Sequence, residues 1–292
     1  MIEILAPAKL NLGLEILGRR DDGFHEILTV MTPVSLVDRI VLSPGGQGRL
    51  ATGGLPIEAS GNLIVAAMEL AGSAWGMGPV DAILTKRIPL SSGLGGGSSD
   101  AAAALVAIRR LTGQADGSSH ELAAQLGSDV PFFLDGRSAL VAGRGEQVTP
   151  LPVHGAIYAV IVVPNVTIPR KTATMYASLT DHDLTDGGRV DEVASDLGEL
   201  KVRETSLPNA FRRALYGLVP DLSRLAREIE AATSLPANLT GAGPAHYVLC
   251  SGSEHASSTA RRLRHALAGR DVAIHLVRSM HGIQMREVPS AG

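Results

Sequence analysis

The sequence predicts an α+β protein built as two domains, and three observations carry that expectation. Strand-like and helix-like stretches alternate irregularly, and the early strands are close enough along the chain to pair antiparallel. A glycine- and serine-rich run at 89–100 passes without a gap into the four alanines 101–104. Pro150-Leu151-Pro152 separates two halves that each carry strands and helices, which makes 1–150 and 151–292 the expected domains. With 292 residues, 45% of them hydrophobic, the chain can fill both cores.

Residues 2–6 and 9–17 read as strands parted by Pro7. In the second, Leu10, Leu12, Leu14 and Ile16 share one face, and Lys9, Asn11, Gly13 and Glu15 share the other. Residues 18–23 form a turn, 24–34 and 40–42 read as further strands, and 44–56 as a Pro/Gly-rich hairpin with loops. Asn62 caps a helix running to about Leu70, with Leu63, Ala66, Ala67 and Leu70 inward. A short strand at 82–84 leads to the glycine run. A helix from about Ser99 to Leu111 follows, then one at about 120–126 and strands at 137–142 and 146–149. In the second half a strand at 156–163 precedes helices near 171–179, 190–200, 206–217 and 220–232. Residues 238–244 make a second glycine turn between strands, and a helix at 254–268 and a strand at 272–278 complete the order.

Composition narrows the function classes. A net charge of −3 gives no general attraction to nucleic acid or an anionic membrane, so any anion must be bound locally. The single cysteine, Cys250, excludes an intrachain disulfide and a cysteine-based zinc site, and its apolar run 246–250 reads as the setting of a buried thiol. No apolar run approaches membrane-spanning length, and no basic-then-apolar leader follows Met1. A soluble cytoplasmic protein is expected. Arginine outnumbers lysine 22 to 4, the lysines being Lys9, Lys86, Lys171 and Lys201. In such a chain a retained lysine suggests a need for a compact point charge, which directs attention to Lys9.

The glycine run is the strongest chemical signal. Glycines let a ligand approach the backbone, and a helix start offers unpaired N–H groups and partial positive charge. Together they make an anion site, phosphate being the usual anion. A flexible linker is the bland alternative, but a linker need not open an alanine-rich helix. The run matches neither the G-x-x-x-x-G-K-[ST] phosphate loop nor the G-x-G-x-x-G dinucleotide fingerprint.

Asp129 lies among apolar residues, between Leu126-Gly127 and Val130-Pro131-Phe132-Phe133, where a carboxylate is costly unless paired. It reads either as a helix or turn cap, or as a general base with Lys9 as its partner. Phe24 and His25 follow a turn. They read either as a core ring beside a half-exposed imidazole, or as an aromatic and a hydrogen-bonding edge suited to a flat heterocycle.

Residues 7–12, 18–26, 89–103, 126–132 and 239–243 occur in the order seen in the GHMP small-molecule kinases, and the chain resembles that family over nearly its whole length, least between about 180 and 235. The opening block and the Gly23-Phe24-His25 turn resemble the branch whose substrate is a cytidine diphosphate-linked methylerythritol. The resemblance implies an N-terminal domain of ribosomal protein S5-like topology, a ferredoxin-like C-terminal domain, and a site between them. It implies phosphorylation of the erythritol 2-hydroxyl by ATP with Mg²⁺, in the non-mevalonate route to isoprenoid precursors, and no nucleic-acid or membrane partner. Carried over by position, Lys9 and Asp129 are the catalytic pair. Pro89, Gly93, Leu94, Gly95, Gly96, Gly97, Ser98 and Ser99 hold the ATP phosphates, and Asn62 and Lys86 lie near the adenine. Phe24 and His25 hold the cytosine, Asn11 helps place the substrate, and Gly241 and Gly243 support its diphosphate side. Tyr176 is the candidate for a second aromatic on the cytosine, with a core tyrosine on a helix face as the alternative. Ser98 is the hydroxyl expected to reach Mg²⁺. The family's Leu-Thr-Gly-Ser-Gly turn has Ala242 in place of its serine here, and Pro244 follows. The rival readings are a related kinase acting on mevalonate, homoserine or a sugar, and a non-catalytic nucleotide sensor on the same fold.

Overall fold

The computed structural model describes residues 1–53, 61–198 and 206–289. It opens with β1 (Ile2–Arg19) and β2 (His25–Pro44), a long antiparallel hairpin. The expected break at Pro7 is absent, and β1 runs straight through it. Proline lacks the N–H that a sheet neighbour would need. The second neighbour of β1 pairs only with Ile2–Leu5, so beyond Leu5 that edge asks for no donor. The irregularity falls on β2, where the register jumps from Pro7↔Val37 to Ala8↔Val34. The expected strands at 24–34 and 40–42 are likewise one strand, which begins at His25.

Next come β3 (Leu50–Thr52), α1 (Leu63–Trp75) and β4 (Val80–Thr85). β3 pairs parallel with β4 and so is not half of a hairpin; the 54–56 end of that expected hairpin lies outside the described residues. Asn62 caps α1 as expected, its Oδ1 accepting from the Ile64 N–H at 2.9 Å. The inward stripe is Ile64, Ala67, Met68 and Ala71, one residue on from the expected one. Residues 63–67 are all apolar, so two adjacent stripes satisfied the helical period equally well.

α2 (Gly96–Thr112) begins three residues earlier than expected and is followed by α3 (Ser119–Leu126), α4 (Val130–Asp135), β5 (Ala139–Gly143) and β6 (Gln147–Pro150). The second half holds β7 (Tyr158–Pro164), α5 (Lys171–Ala177), α6 (Gly188–Gly198), α7 (Phe211–Leu218), α8 (Pro220–Thr233), β8 (Asn238–Leu239), β9 (His246–Cys250), α9 (Ser253–Ala266) and β10 (Val272–Arg278). The expected helix end at 199–200 lies outside the described residues. Residues 206–210 precede the helix rather than belonging to it. Their backbone bonds Leu14 of β1 in both directions, through Pro208 and Ala210. A strand with no sequence signal, β11 (Gln284–Glu287), closes the order.

The strands form two sheets. One runs β11-β1-β2-β4-β3 with β5 and β6 added at β2, and the other runs β10-β7-β9-β8. Residues 150–152 fall between β6 of the first and β7 of the second, while β11 returns to the first. β1 enters all three buried clusters: Ile2, Ile4 and Ala6 pack with α1 and α2, Ala8, Leu10 and Leu12 with Ile161 and Tyr247, and Leu14 and Ile16 with Phe211 and Leu215. Burying one such aliphatic side chain is worth about 1.5–3 kcal/mol, so this strand is among the best-anchored parts of the molecule. It is also the strand that carries Lys9 and Asn11. No described helix is long and apolar enough to cross a membrane.

Candidate active site

The glycine run forms a loop ending at Gly95, whose φ of 73° is a left-handed conformation suited to glycine. Gly96 and Gly97 make the first turn of α2. A Cβ on Gly95 would lie 2.9 Å from both the Lys9 Cγ and a Phe133 ring carbon, and one on Gly96 would lie 2.9 Å from the Lys86 Nζ. The loop is therefore packed between side chains of β1, α4 and the segment after β4. Leu94 is buried and its carbonyl accepts from the Lys9 N–H at 2.9 Å, while the Ser92 hydroxyl donates to the Pro89 carbonyl at 2.7 Å. Ser98 is half-buried in the same turn; Ser99 is buried and its Oγ has no partner.

The second glycine turn, between β8 and β9, abuts the first. A Cβ on Gly93 would lie 2.9 Å from the Gly243 carbonyl and closer still to that of Thr240. The Ala245 N–H donates to the Ser92 carbonyl at 3.1 Å. A Cβ on Gly241 would stand 3.1 Å from the Lys9 Nζ. Gly241 and Gly243 thus reach the first glycine loop and Lys9 from the second half of the chain.

Lys9 and Asp129 meet, with Nζ 3.8 Å from Oδ2. Asp129 stands at the position before α4, yet its side chain makes no capping bond, so its carboxylate faces the site instead. Lys9 is buried, with its Nζ donating to Asn11 Oδ1. At that separation the ion pair is worth about 4 kcal/mol at an effective dielectric of about 20, while burying an ammonium costs several kcal/mol. Burial prevails: it holds the Lys9 pKa below the ordinary lysine value, with Asp129 opposing.

Asn11 is fixed on every side. Its Nδ2 donates to Thr29 Oγ1 at 2.9 Å, and Thr29 in turn donates to the Gly13 carbonyl at 2.6 Å. The Thr240 hydroxyl donates to Asn11 Oδ1 at 3.3 Å, and the buried Tyr247 hydroxyl to the Asn11 carbonyl at 2.7 Å. Thr29 and Tyr247 lie in strands and carry no local signal of this role.

Phe24, His25 and Tyr176 lie at the far end of the hairpin. The His25 and Tyr176 rings are 4.8 Å apart at 31°, and Tyr176 packs edge-on against Phe211 at 5.0 Å. Tyr176 is therefore both a helix-face tyrosine and a neighbour of His25. Burial, with Asp129 adding to it, pushes its hydroxyl up to about 12. The His25 Nε2 is buried with no partner, and burial, then Arg19, lowers the ring's pKa. Phe24 is 50% exposed rather than packed in the core, and the Arg144 guanidinium lies 4.7 Å from its ring centre.

Lys86 lies beside the first turn of α2 in a buried triad, its Nζ bonded to Asp38 and, at 2.7 Å, to Asp100. Burial pulls its pKa down, but the two carboxylates outweigh that and the net shift is upward. Burial raises Asp100 strongly, against the pull of Lys86. Asn62 stays near the same turn through Leu63, whose Cδ1 would be 3.8 Å from a Cβ on Gly97.

A glycine loop at the start of α2 thus adjoins a lysine–aspartate pair whose lysine is buried and whose aspartate is half-buried, with an unpartnered imidazole edge at the other end. The GHMP kinases N-terminal domain matches residues 62–137. The 4-diphosphocytidyl-2-C-methyl-D-erythritol kinase of Dehalococcoides mccartyi is 39% identical over 253 residues, 85% of this chain and 89% of that protein. The chain belongs to the 4-diphosphocytidyl-2-C-methyl-D-erythritol kinase family. A crystal structure of a 4-(cytidine 5'-diphospho)-2C-methyl-D-erythritol kinase superposes with a TM-score of 0.79 at 35% identity, covering 94% of this chain and 98% of that one. A homoserine kinase from Cytophaga hutchinsonii gives a TM-score of 0.74 at 19% identity, covering 98% and 97%, and so shares the fold. Members of this kinase family are ATP-dependent small-molecule kinases of the two-sheet GHMP fold described above, and this chain is one of them.

Proposed function

We propose that the chain phosphorylates the 2-hydroxyl of 4-diphosphocytidyl-2-C-methyl-D-erythritol, with ATP as donor, in non-mevalonate isoprenoid precursor synthesis. The observation that carries the chemistry is the Lys9–Asp129 pair at 3.8 Å beside the glycine loop. Phosphoryl transfer needs in-line positioning and charge neutralisation more than covalent chemistry. The N–H groups of residues 93–98, the Ser99 side chain and the positive end of α2 receive the ATP phosphates. Asp129 orients the acceptor hydroxyl and takes its proton as transfer proceeds. Lys9 pairs with that carboxylate and offsets charge building on the transferred group. Asn11, locked by Thr29, Thr240 and Tyr247, holds the Lys9 ammonium in place.

Ser98 in the first turn of α2 and the unpartnered Ser99 Oγ behind it fit a Mg²⁺ ion carried chiefly by phosphate oxygens, since magnesium commonly takes few protein ligands. When bound, the ion neutralises the β- and γ-phosphate charge. Phe24 and Tyr176 flank the cytosine, and the vacant hydrogen-bonding capacity of His25 Nε2 meets its polar edge. The 1–150 and 151–292 halves meet at this site, the first supplying the ATP loop and the second the substrate-side turn.

ADP release is measured with this cytidyl substrate beside mevalonate, homoserine and a sugar. Turnover confined to the cytidyl substrate is expected. Equal or better turnover with another alcohol rejects the substrate, and tight ATP binding with no turnover of any alcohol restores a sensor role.

A further inference from the structure

Lys171, the first residue of α5, has no role in the arrangement so far. Its Nζ donates to the Ser91 carbonyl at 2.9 Å, in the first glycine loop, and to the Gly243 carbonyl, in the second glycine turn. Both partners are neutral. The charged groups that act on it are Lys9 on β1 and Asp129 before α4. Two ammonium groups and one carboxylate leave an excess positive charge, partly out of water, with Lys9 packed against Gly95 at the start of α2. Like charges brought together under burial are costly unless an anion completes the set. The backbone is also strained here. Among the described residues three non-glycine positions have left-handed φ, and two of them, Ser91 (52°) and Arg170 (44°), flank this contact. Such conformations persist where the surroundings enforce them, often at functional sites.

We propose that Lys171 is a positioning residue of the phosphoryl transfer, clasping the two glycine turns together and adding a second ammonium, beside Lys9, to the surface that receives the phosphate chain. The inference rests on the kinase reading above and extends it to a residue in the second half of the chain. A neutral donor could tie the same two carbonyls, so the charge is what distinguishes this role from a purely structural one. Burial, then the Lys9 charge, brings the Lys171 ammonium down to about 8, with Asp129 opposing. The charged form is therefore present below about pH 8 and lost above it.

The test compares the wild type, Lys171→Met and Lys171→Arg in the ADP-release assay with the cytidyl substrate, from pH 6.5 to 10, alongside ATP titration calorimetry at pH 7 with no acceptor present. Lys171→Met is expected to lower kcat by roughly 10²-fold, the scale of removing one charge-stabilising donor, and to weaken ATP. Lys171→Arg is expected to keep most of the turnover and to lose the fall in rate above about pH 8 that the wild type shows. Wild-type kcat and ATP affinity in Lys171→Met overturn the proposal. So does an unchanged alkaline fall in Lys171→Arg, which would assign that titration to Lys9. If Lys171→Met does not fold, the Lys171→Arg profile decides alone. If the wild type itself turns over no cytidyl substrate, the kinase reading fails separately, and the ATP titration still decides whether Lys171 serves a bound phosphate chain.

Discussion

Lys9 surrenders most of its hydration to sit on β1, and Asp129 restores only part of what is lost. That imbalance fits a group whose full partner is an anionic substrate rather than a neighbouring side chain. Asp129→Asn keeps the shape and removes the charge. Turnover should fall by roughly 10²-fold or more, the scale of general-base catalysis, while ATP affinity by calorimetry stays near wild type. Unchanged turnover would remove Asp129 from the chemistry. Phe24→Ala and His25→Ala act elsewhere: each should raise KM for the cytidyl substrate with little change in KM for ATP, and normal KM values in both would detach the cytosine from this end of the hairpin. Lys9 and Asn11 were legible because strict alternation set polar residues on one face of an apolar strand. Their meeting with Asp129, 120 residues on, was not, because only the fold brings α4 to β1. Lys171 left one trace, its type, in a chain with so few lysines. Thr29 and Tyr247 left none, since a strand threonine or tyrosine looks the same whether or not its hydroxyl anchors an asparagine.

At the scale of elements, the glycine loop was plain in sequence and its bracing was not. Glycine at position 93 reads as freedom for a ligand to approach. The nearer reason is that the Gly243 carbonyl would lie 2.9 Å from any Cβ, with the Thr240 carbonyl closer still. Gly93→Ala adds a left-handed φ of 89° to that collision. Since both obstacles are backbone, the two turns must separate, and ATP affinity should drop at least tenfold, about 1.4 kcal/mol, in a titration at pH 7. Near-normal affinity would show that the turns can part without cost. Two misplaced boundaries have a common origin. Glycine and proline were read as stops, yet Gly96 and Gly97 sit inside α2 and Pro7 sits inside β1. Local propensity yields where packing fixes the backbone or where no partner needs the missing donor.

Across the whole molecule, the two-sheet α+β arrangement followed from the order of elements, but the return of the chain end did not. β11 is exposed on all four residues and has no alternating pattern to announce it. It is held by backbone pairing to Ile2–Leu5 and by Arg286, whose Nε donates to the buried Glu3 at 2.6 Å. Ending the chain after Ile283 should remove a few hydrogen bonds of about 1 kcal/mol each and lower Tm by several degrees for a protein of this size. The kcat at 25 °C should stay unchanged, because the site is on the other part of β1. An unaltered Tm would show that β11 adds nothing to the first sheet.

The contact between the two glycine turns also orders events during synthesis. Residue 93 leaves the ribosome long before residue 243, a delay of about 8–30 s at ordinary translation rates. Through that interval β1–β6 and α2 can assemble, but the first glycine loop lacks the wall that fixes it. A nascent chain therefore gains its grip on nucleotide late and abruptly, when the second turn arrives. Stalled chains ending before residue 240 should fold in part and hold ATP poorly.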